Sequence, residues 1–272
     1  MASILDTTMN ASSPLMVTSH PFYPLEVEIA AYLANEMTMQ VLLTIFVAMI
    51  LAIVGGTKLW VDKVHPNLPS KEKAAIWWFV ICRSFPVFCQ LPQQLVIIVV
   101  AGAIHLCFEG YFSVNHTRMA PAQDLFGQLW KEYALSDSRY LTSDPFVLCM
   151  ETVTAFTWGP MCFFIAYFIT TSNPLRHPLQ IIVCVGQMYG LVLYYATAMF
   201  DHYYNSAAYS RPEFLYFWVY FFAVNFIWMV IPGLLLVSSV RTIARTFAAF
   251  DKMTSALQKG TNGRAKGSKK EL

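Results

Sequence analysis

The sequence predicts an all-α, polytopic membrane protein built as a bundle of five transmembrane helices. Two observations of composition point there. Of the 272 residues, 57% are apolar, against roughly 45–50% in an ordinary soluble domain. Only 12% are charged, about half the usual share. The third observation is distribution, because the apolar excess gathers into runs near the length needed to cross a bilayer. A soluble enzyme, a nucleic-acid binder and a disulfide-stapled secreted domain are excluded. The six cysteines lie in apolar stretches without ligand-like spacing, so they read as small buried hydrophobes. No phosphate-binding loop, dinucleotide fingerprint, zinc-helix motif or nucleophile elbow occurs, so neither a metal nor a cofactor is expected.

The first span falls near 39–60 and a second ends near Tyr111. The last three are clean: FVLCMETVTAFTWGPMCFFIAYFIT (146–170), LQIIVCVGQMYGLVLYYATAMF (179–200) and FLYFWVYFFAVNFIWMVIPGLLLVSS (214–239). Each is long enough to cross ~30 Å of hydrocarbon at about 1.5 Å per residue. The stretch 74–112 is irregular. Its apolar halves, AAIWWFVIC and GAIHLCFEGYF, would make one ordinary span if joined, but RSFPVFCQLPQQLVIIVVA (83–101) separates them with Pro86, Pro92 and three glutamines. The insert's in-frame length and poor span chemistry suggest a retained intron. If real, it displaces the first half of the helix that carries His105.

Basic residues orient the bundle. Five spans put segments with 4, 1 and 8 Lys/Arg on one side and segments with 0, 3 and 1 on the other, which satisfies the positive-inside rule. The expected organisation is a luminal N-terminal extension (1–38), a membrane domain (39–240) and a basic cytosolic tail (241–272). Residues 1–38 hold no Lys or Arg, so no signal peptide is expected. Two sequons, at Asn10 and Asn115, then fall on the luminal side. Lys269 and Lys270, third and fourth from the C-terminus, resemble a dilysine retrieval signal of endoplasmic reticulum membrane proteins.

Of 16 carboxylates, only Glu109 and Glu151 lie inside spans, and His105 is the histidine that joins them. An ionisable residue at that depth costs about 2.5–3.5 kcal/mol on insertion scales, so it is a functional hypothesis by default. His105 and Glu109 are four apart, on one helical face. Glu151, Thr154 and Trp158 share a face of the next span, and Asn225 and Trp228 one of the last. Both carboxyls sit at similar depth on consecutive antiparallel helices and can meet. Glu132, Asp137 and Arg139 lie in the connecting loop and can fold back over the mouth. Burial disfavours a charged carboxylate, so one glutamate can be held as an acid while its partner serves as a base. That suits proton addition and removal on an apolar substrate. Trp158, Trp228 and the tyrosines near 189–195, Tyr189 among them, offer π faces to a carbocation. The plainer alternative is that the three ionisable groups only tie helices together.

The ordered motifs His105-x3-Glu109-Gly110, QLWKEYALSDSRY (128–140), METVTAFTWGP (150–160), GQMYG (186–190) and NFIWMVIPG (225–233) resemble the emopamil-binding protein family, the 3β-hydroxysteroid Δ8,Δ7-isomerases with an EXPERA domain. The resemblance covers roughly 74–240 apart from the insert. It implies a five-helix bundle of the endoplasmic reticulum, acting on a sterol within the lipid bilayer. A proton is added at carbon 9 of a Δ8 sterol, a cation forms at carbon 8, and a proton leaves carbon 7. Carried over by motif, His105, Glu109 and Glu151 are the proton-handling set. Thr154 and Asn225 hydrogen-bond around it, Trp228 faces the cation, and Asp137, Arg139 and Tyr140 hold the loop over the pocket. Cationic amphiphilic amines, which mimic the intermediate, are the implied inhibitors. A homodimer is compatible with the sequence. Leu191 and Ala198 stand where mammalian members carry acids and plant isomerases do not, and Asp201, a turn further on, is expected to compensate in part. Beside the isomerase reading stand a terpenoid or meroterpenoid cyclase acting on a prenyl epoxide or alkene, and a non-catalytic sterol-binding protein. Retention of both glutamates and His105 argues against the last.

Overall fold

The computed structural model describes residues 20–64 and 91–268. Among the described residues every regular element is helical, and five helices are long and apolar enough to cross a membrane: Met39–Lys63, Gln94–Arg118, Pro145–Thr170, Arg176–Tyr204 and Leu215–Lys259. Each predicted span has its counterpart, and the protein is a multi-pass membrane bundle.

Local chemistry sets where these helices begin. Asp144 caps the third by accepting from the Val147 amide at 2.9 Å, with Pro145 at the first helical position where its missing N–H costs nothing. Asp124 caps a short helix, Leu125–Ala134, through the Gly127 amide in the same way. Three spans also contain a widened π turn, over Ile104–Glu109, Thr154–Trp158 and Leu215–Val224. Gly110 donates back to His105 O, and Gly159 to Thr154 O, five residues earlier in each case. Such turns concentrate at functional positions because they shift the facing of the side chains beyond them.

Residues 91–101 continue without a break into the helix that carries His105, and Leu95, Ile98 and Ala101 are buried against Cys162, Ile165 and Ile169 of the third span. The second half of the insert is thus the first half of that span. Residues 65–90, which include the first apolar half and the start of the insert, lie outside the described residues, as do Asn10 and the Lys269-Lys270 pair.

The bundle has two interior clusters. One, around Cys162, Val183, Cys184 and Leu235, fills the end nearer the C-terminal tail. The other, around Phe112, Trp130, Tyr140, Val147, Tyr194 and Phe221, fills the opposite end, and Trp228 packs against both. Outward faces carry large apolar side chains such as Phe164 and Tyr167, as a lipid-facing surface requires.

Three same-side segments close one end as a cap: residues 20–38, the 119–144 connection and the 205–214 loop. Lys131 Nζ donates to Leu33 O at 2.7 Å, Ser138 Oγ to Tyr23 O at 2.5 Å, and the Ser138 amide to Tyr209 O at 3.1 Å. Phe22 and Ile29 are buried in the cap-side core. Residues 20–38 are therefore packed into the folded cap. Their meeting with the other two segments is what an odd number of spans predicts.

Candidate active site

The second and third spans cross closely where the π turns fall. A Cβ on Gly159 would lie 3.2 Å from Leu106 N, 3.3 Å from Leu106 Cβ and 3.4 Å from His105 Cβ. A side chain there would force Leu106 or His105 to give by a few tenths of an ångström, so glycine favours this tight approach. That crossing brings the Glu109 and Glu151 carboxyls within interaction reach of each other. His105, Glu109 and Glu151 are all buried.

Each carboxyl has a hydrogen-bond partner of its own. The His105 ring meets Glu109 Oε2 through Nδ1 at 2.8 Å, and the Tyr140 hydroxyl donates to Glu151 Oε1 at 2.5 Å. Tyr140 thus touches the pair directly. Its ring stacks on Trp130 (centroids 4.7 Å, 30° between planes) and meets Phe112 edge-on. Burial pushes the Tyr140 hydroxyl well above its ordinary range, with the Glu151 charge adding to the effect, so it is held as a donor.

Arg139 and Asp137 fasten this loop. Asp137 Oδ2 accepts from Arg139 Nη2 at 2.7 Å with both side chains buried. Arg139 Nη1 reaches Thr197 Oγ1 of the fourth span at 2.9 Å, and the guanidinium lies 4.9 Å above the Tyr194 ring. The Asp137 charge and its hydrogen bonds outweigh burial and raise the guanidinium further above its already high value. Glu132 turns elsewhere, into a buried position beside Tyr32, Tyr216 and Tyr220, where burial raises its carboxyl.

Of the side chains expected around the pair, Trp228 lies against His105, its ring system 4.8 Å from the imidazole at 33°. Asn225 exchanges hydrogen bonds with the Tyr133 hydroxyl at 2.8–3.0 Å and donates to Phe221 O at 2.7 Å. It reaches the pair through the Tyr133 ring, which meets Tyr140 edge-on, rather than by contact. Thr154 turns back on its own helix, donating to Met150 O at 2.8 Å. Trp158 lies flat on Gly186 of the fourth span, where a Cβ would fall 2.4 Å from the indole. Tyr189 is the departure: it is 65% exposed on the outward face and offers no π face to the interior. Asp201 is engaged at the cap by Asn205 and Tyr209.

Sequence reasoning passed over Gln187, whose amide nitrogen lies 2.7 Å from His105 Nε2. It sits inside the GQMYG motif, two residues from Tyr189. At about 100° per residue, one of the two must face outward when the other faces in. Tyr133 and Trp130 were also legible only as part of the loop motif.

The model of the EXPERA family (the expanded EBP superfamily) matches residues 125–239, from the cap helix to the last span. The chain is 32% identical over 248 residues to a 3-beta-hydroxysteroid-Delta(8),Delta(7)-isomerase of Rattus norvegicus, across 91% of this chain and 98% of that protein. The chain belongs to the EXPERA family. Within it, a probable isomerase of the same name from Oryza sativa is 26% identical over 229 residues, 84% of this chain and 94% of that one. Isomeliandiol synthase MOI2 of Melia azedarach is 30% identical over 135 residues, covering 49% of this chain and 61% of the synthase. The family match contains Glu151, Gln187, Asn225 and Trp228, while His105 and Glu109 come from the span that precedes it. Leu191 and Ala198 are buried in the cap-side core against Tyr194 and Phe221, so this EXPERA member closes that end of the interior with apolar contacts.

Proposed function

We propose that this chain is a sterol Δ8→Δ7 isomerase of the endoplasmic reticulum membrane. The reading is supported by the carboxyl pair, each member with a separate hydrogen-bond partner, buried in a bundle whose full-length relatives carry that isomerase name. One carboxyl gives a proton to carbon 9 of the Δ8 sterol, leaving the positive charge at carbon 8. The other accepts the proton from carbon 7, and the electrons of that C–H bond form the new double bond. The carboxyl pair gives one proton and receives one, so no cofactor is required. His105 and Tyr140 hold the carboxyls in place, and Trp228 presents a π face to the cation. A protonated amine on an apolar ring system mimics that cation and should compete with the sterol. The N-terminus and cap are assigned to the lumen and the basic tail to the cytosol.

The test is expression in a strain lacking sterol Δ8,Δ7-isomerase, with sterols read by mass spectrometry. Conversion of Δ8 to Δ7 sterol, with deuterium from solvent entering at carbon 9 and activity lost in Glu151→Gln, is the expected result. A chain that is expressed and leaves the double bond in place would sink the reading. The alternative is a terpenoid rearrangement on the same scaffold. The synthase relatives and the apolar residues at 191 and 198 favour it, and prenyl epoxides would be the next substrates.

A further inference from the structure

His105 is held at both ring nitrogens, and the two contacts are not equivalent. Nδ1 faces Glu109 Oε2 at 2.8 Å, a carboxylate oxygen that accepts. Nε2 faces the side-chain nitrogen of Gln187 at 2.7 Å, a group that can only donate. Both contacts are satisfied by one protonation state: a neutral ring with its proton on Nδ1. A second proton on Nε2 would set two N–H groups against each other at 2.7 Å. The ring is further enclosed by Trp228 at 4.8 Å and by the Gly159 crossing, so it cannot turn away.

We propose that Gln187 is a positioning residue that keeps His105 neutral and protonated on Nδ1, so that the histidine serves Glu109 as a fixed donor and does not itself deliver the reacting proton. The hydrogen bonds then converge: Gln187 donates to His105, His105 to Glu109, and Tyr140 to Glu151 from the far side. Neither flanking group delivers the reacting proton, which passes between the two carboxyls and the sterol. The second neighbour of a histidine ring commonly selects its tautomer in this way. Only the kinetic part of the inference rests on the isomerase reading.

The experiment uses the full chain, labelled with 15N-histidine, in lipid nanodiscs near neutral pH, with the His105 signals assigned by their loss in His105→Asn. The expected spectrum shows one protonated ring nitrogen, Nδ1, and one bare nitrogen, Nε2. Gln187→Glu puts an acceptor of the same size at Nε2, and both nitrogens should then carry protons. Turnover of a Δ8 sterol by Gln187→Glu should fall by roughly tenfold or more with KM held within about twofold, and Gln187→Met should be slowed less. A parent ring that is doubly protonated, or protonated on Nε2, overturns the proposal without any variant having to fold. A folded Gln187→Glu chain with unchanged ring nitrogens overturns it as well. If the parent moves no double bond but shows the expected ring state, the isomerase reading falls and the tautomer assignment stands.

Discussion

Tyr140 and Glu151 show how much one side chain can decide. The 2.5 Å contact supplies a hydrogen bond to a buried carboxyl, while the tyrosine ring is held independently by Trp130 and Phe112. Tyr140→Phe should therefore keep the fold and lose catalysis. Turnover of a Δ8 sterol is expected to drop by about tenfold to a hundredfold, with an unchanged melting profile in detergent. Arg139 is the opposite case. Removing it in Arg139→Met leaves Asp137 buried and unpaired, which costs on the order of 3–5 kcal/mol. A double variant with Asp137→Asn should recover part of that loss in a thermal-melt cycle. Glu132 adds a pH dependence. Because burial raises its carboxyl in the folded state, its contribution to stability is complete below the ordinary glutamate range. That contribution is lost as pH rises through the raised value. Glu132→Gln should flatten this fall, read as hydrogen exchange across 125–144 at a series of pH values. An unchanged slope would remove Glu132 as its source.

Among the elements, the crossing of the second and third spans matters most. The intramembrane carboxyls were legible in the sequence because so few charges enter the spans, and their depth was legible by counting from the span ends. Their facing was not settled by periodicity alone. Each π turn shifts the later side chains by about one residue, so a helical wheel drawn at constant pitch drifts across Ile104–Glu109 and Thr154–Trp158. The Gly159 contact is specific to the crossing. Gly159→Val would press its side chain onto Leu106 and His105. It should cost about 1–3 kcal/mol of stability, and it should lower turnover more than a substitution on the lipid-facing side such as Phe164→Leu. Melting and sterol conversion measured on the same preparations check both parts. Thr154 teaches a related lesson. A threonine on a polar face of a membrane helix can satisfy its hydroxyl on its own backbone, and here it does.

The whole molecule is a bundle with one end capped by three segments that are far apart in sequence. The 83–101 insert is best judged at this scale. Without it, residues 74–82 would run directly into Gly102, and Ile76, Phe79 and Cys82 would take the places of the buried Leu95, Ile98 and Ala101. Apolar side chains thus replace apolar side chains at those three positions, while Ala75 would stand where the buried Gln94 meets Ser238. The shortened chain should insert and keep the carboxyl pair, which the isomerase-deficient strain would report as retained conversion. Loss of conversion with normal expression would show that residues 83–101 are required in their own right. Phe22→Ala tests the cap from its other side. Emptying that fully buried site should cost about 3–5 kcal/mol and loosen 119–144, read by limited proteolysis.

Composition and charge spacing were enough to determine five membrane-spanning helices, their order, and the two glutamates and histidine placed among them. The cost of burying charge in lipid is so large that it is written into which residues the spans contain. The tertiary structure alone decided which neighbours those groups meet. Gln187 turns inward and Tyr189 outward, Asn225 acts through Tyr133, and residues 20–38 complete the cap. Helix rotation, the π-turn offsets and contacts between residues distant in sequence set these outcomes, and none of them leaves a periodic trace in the chain.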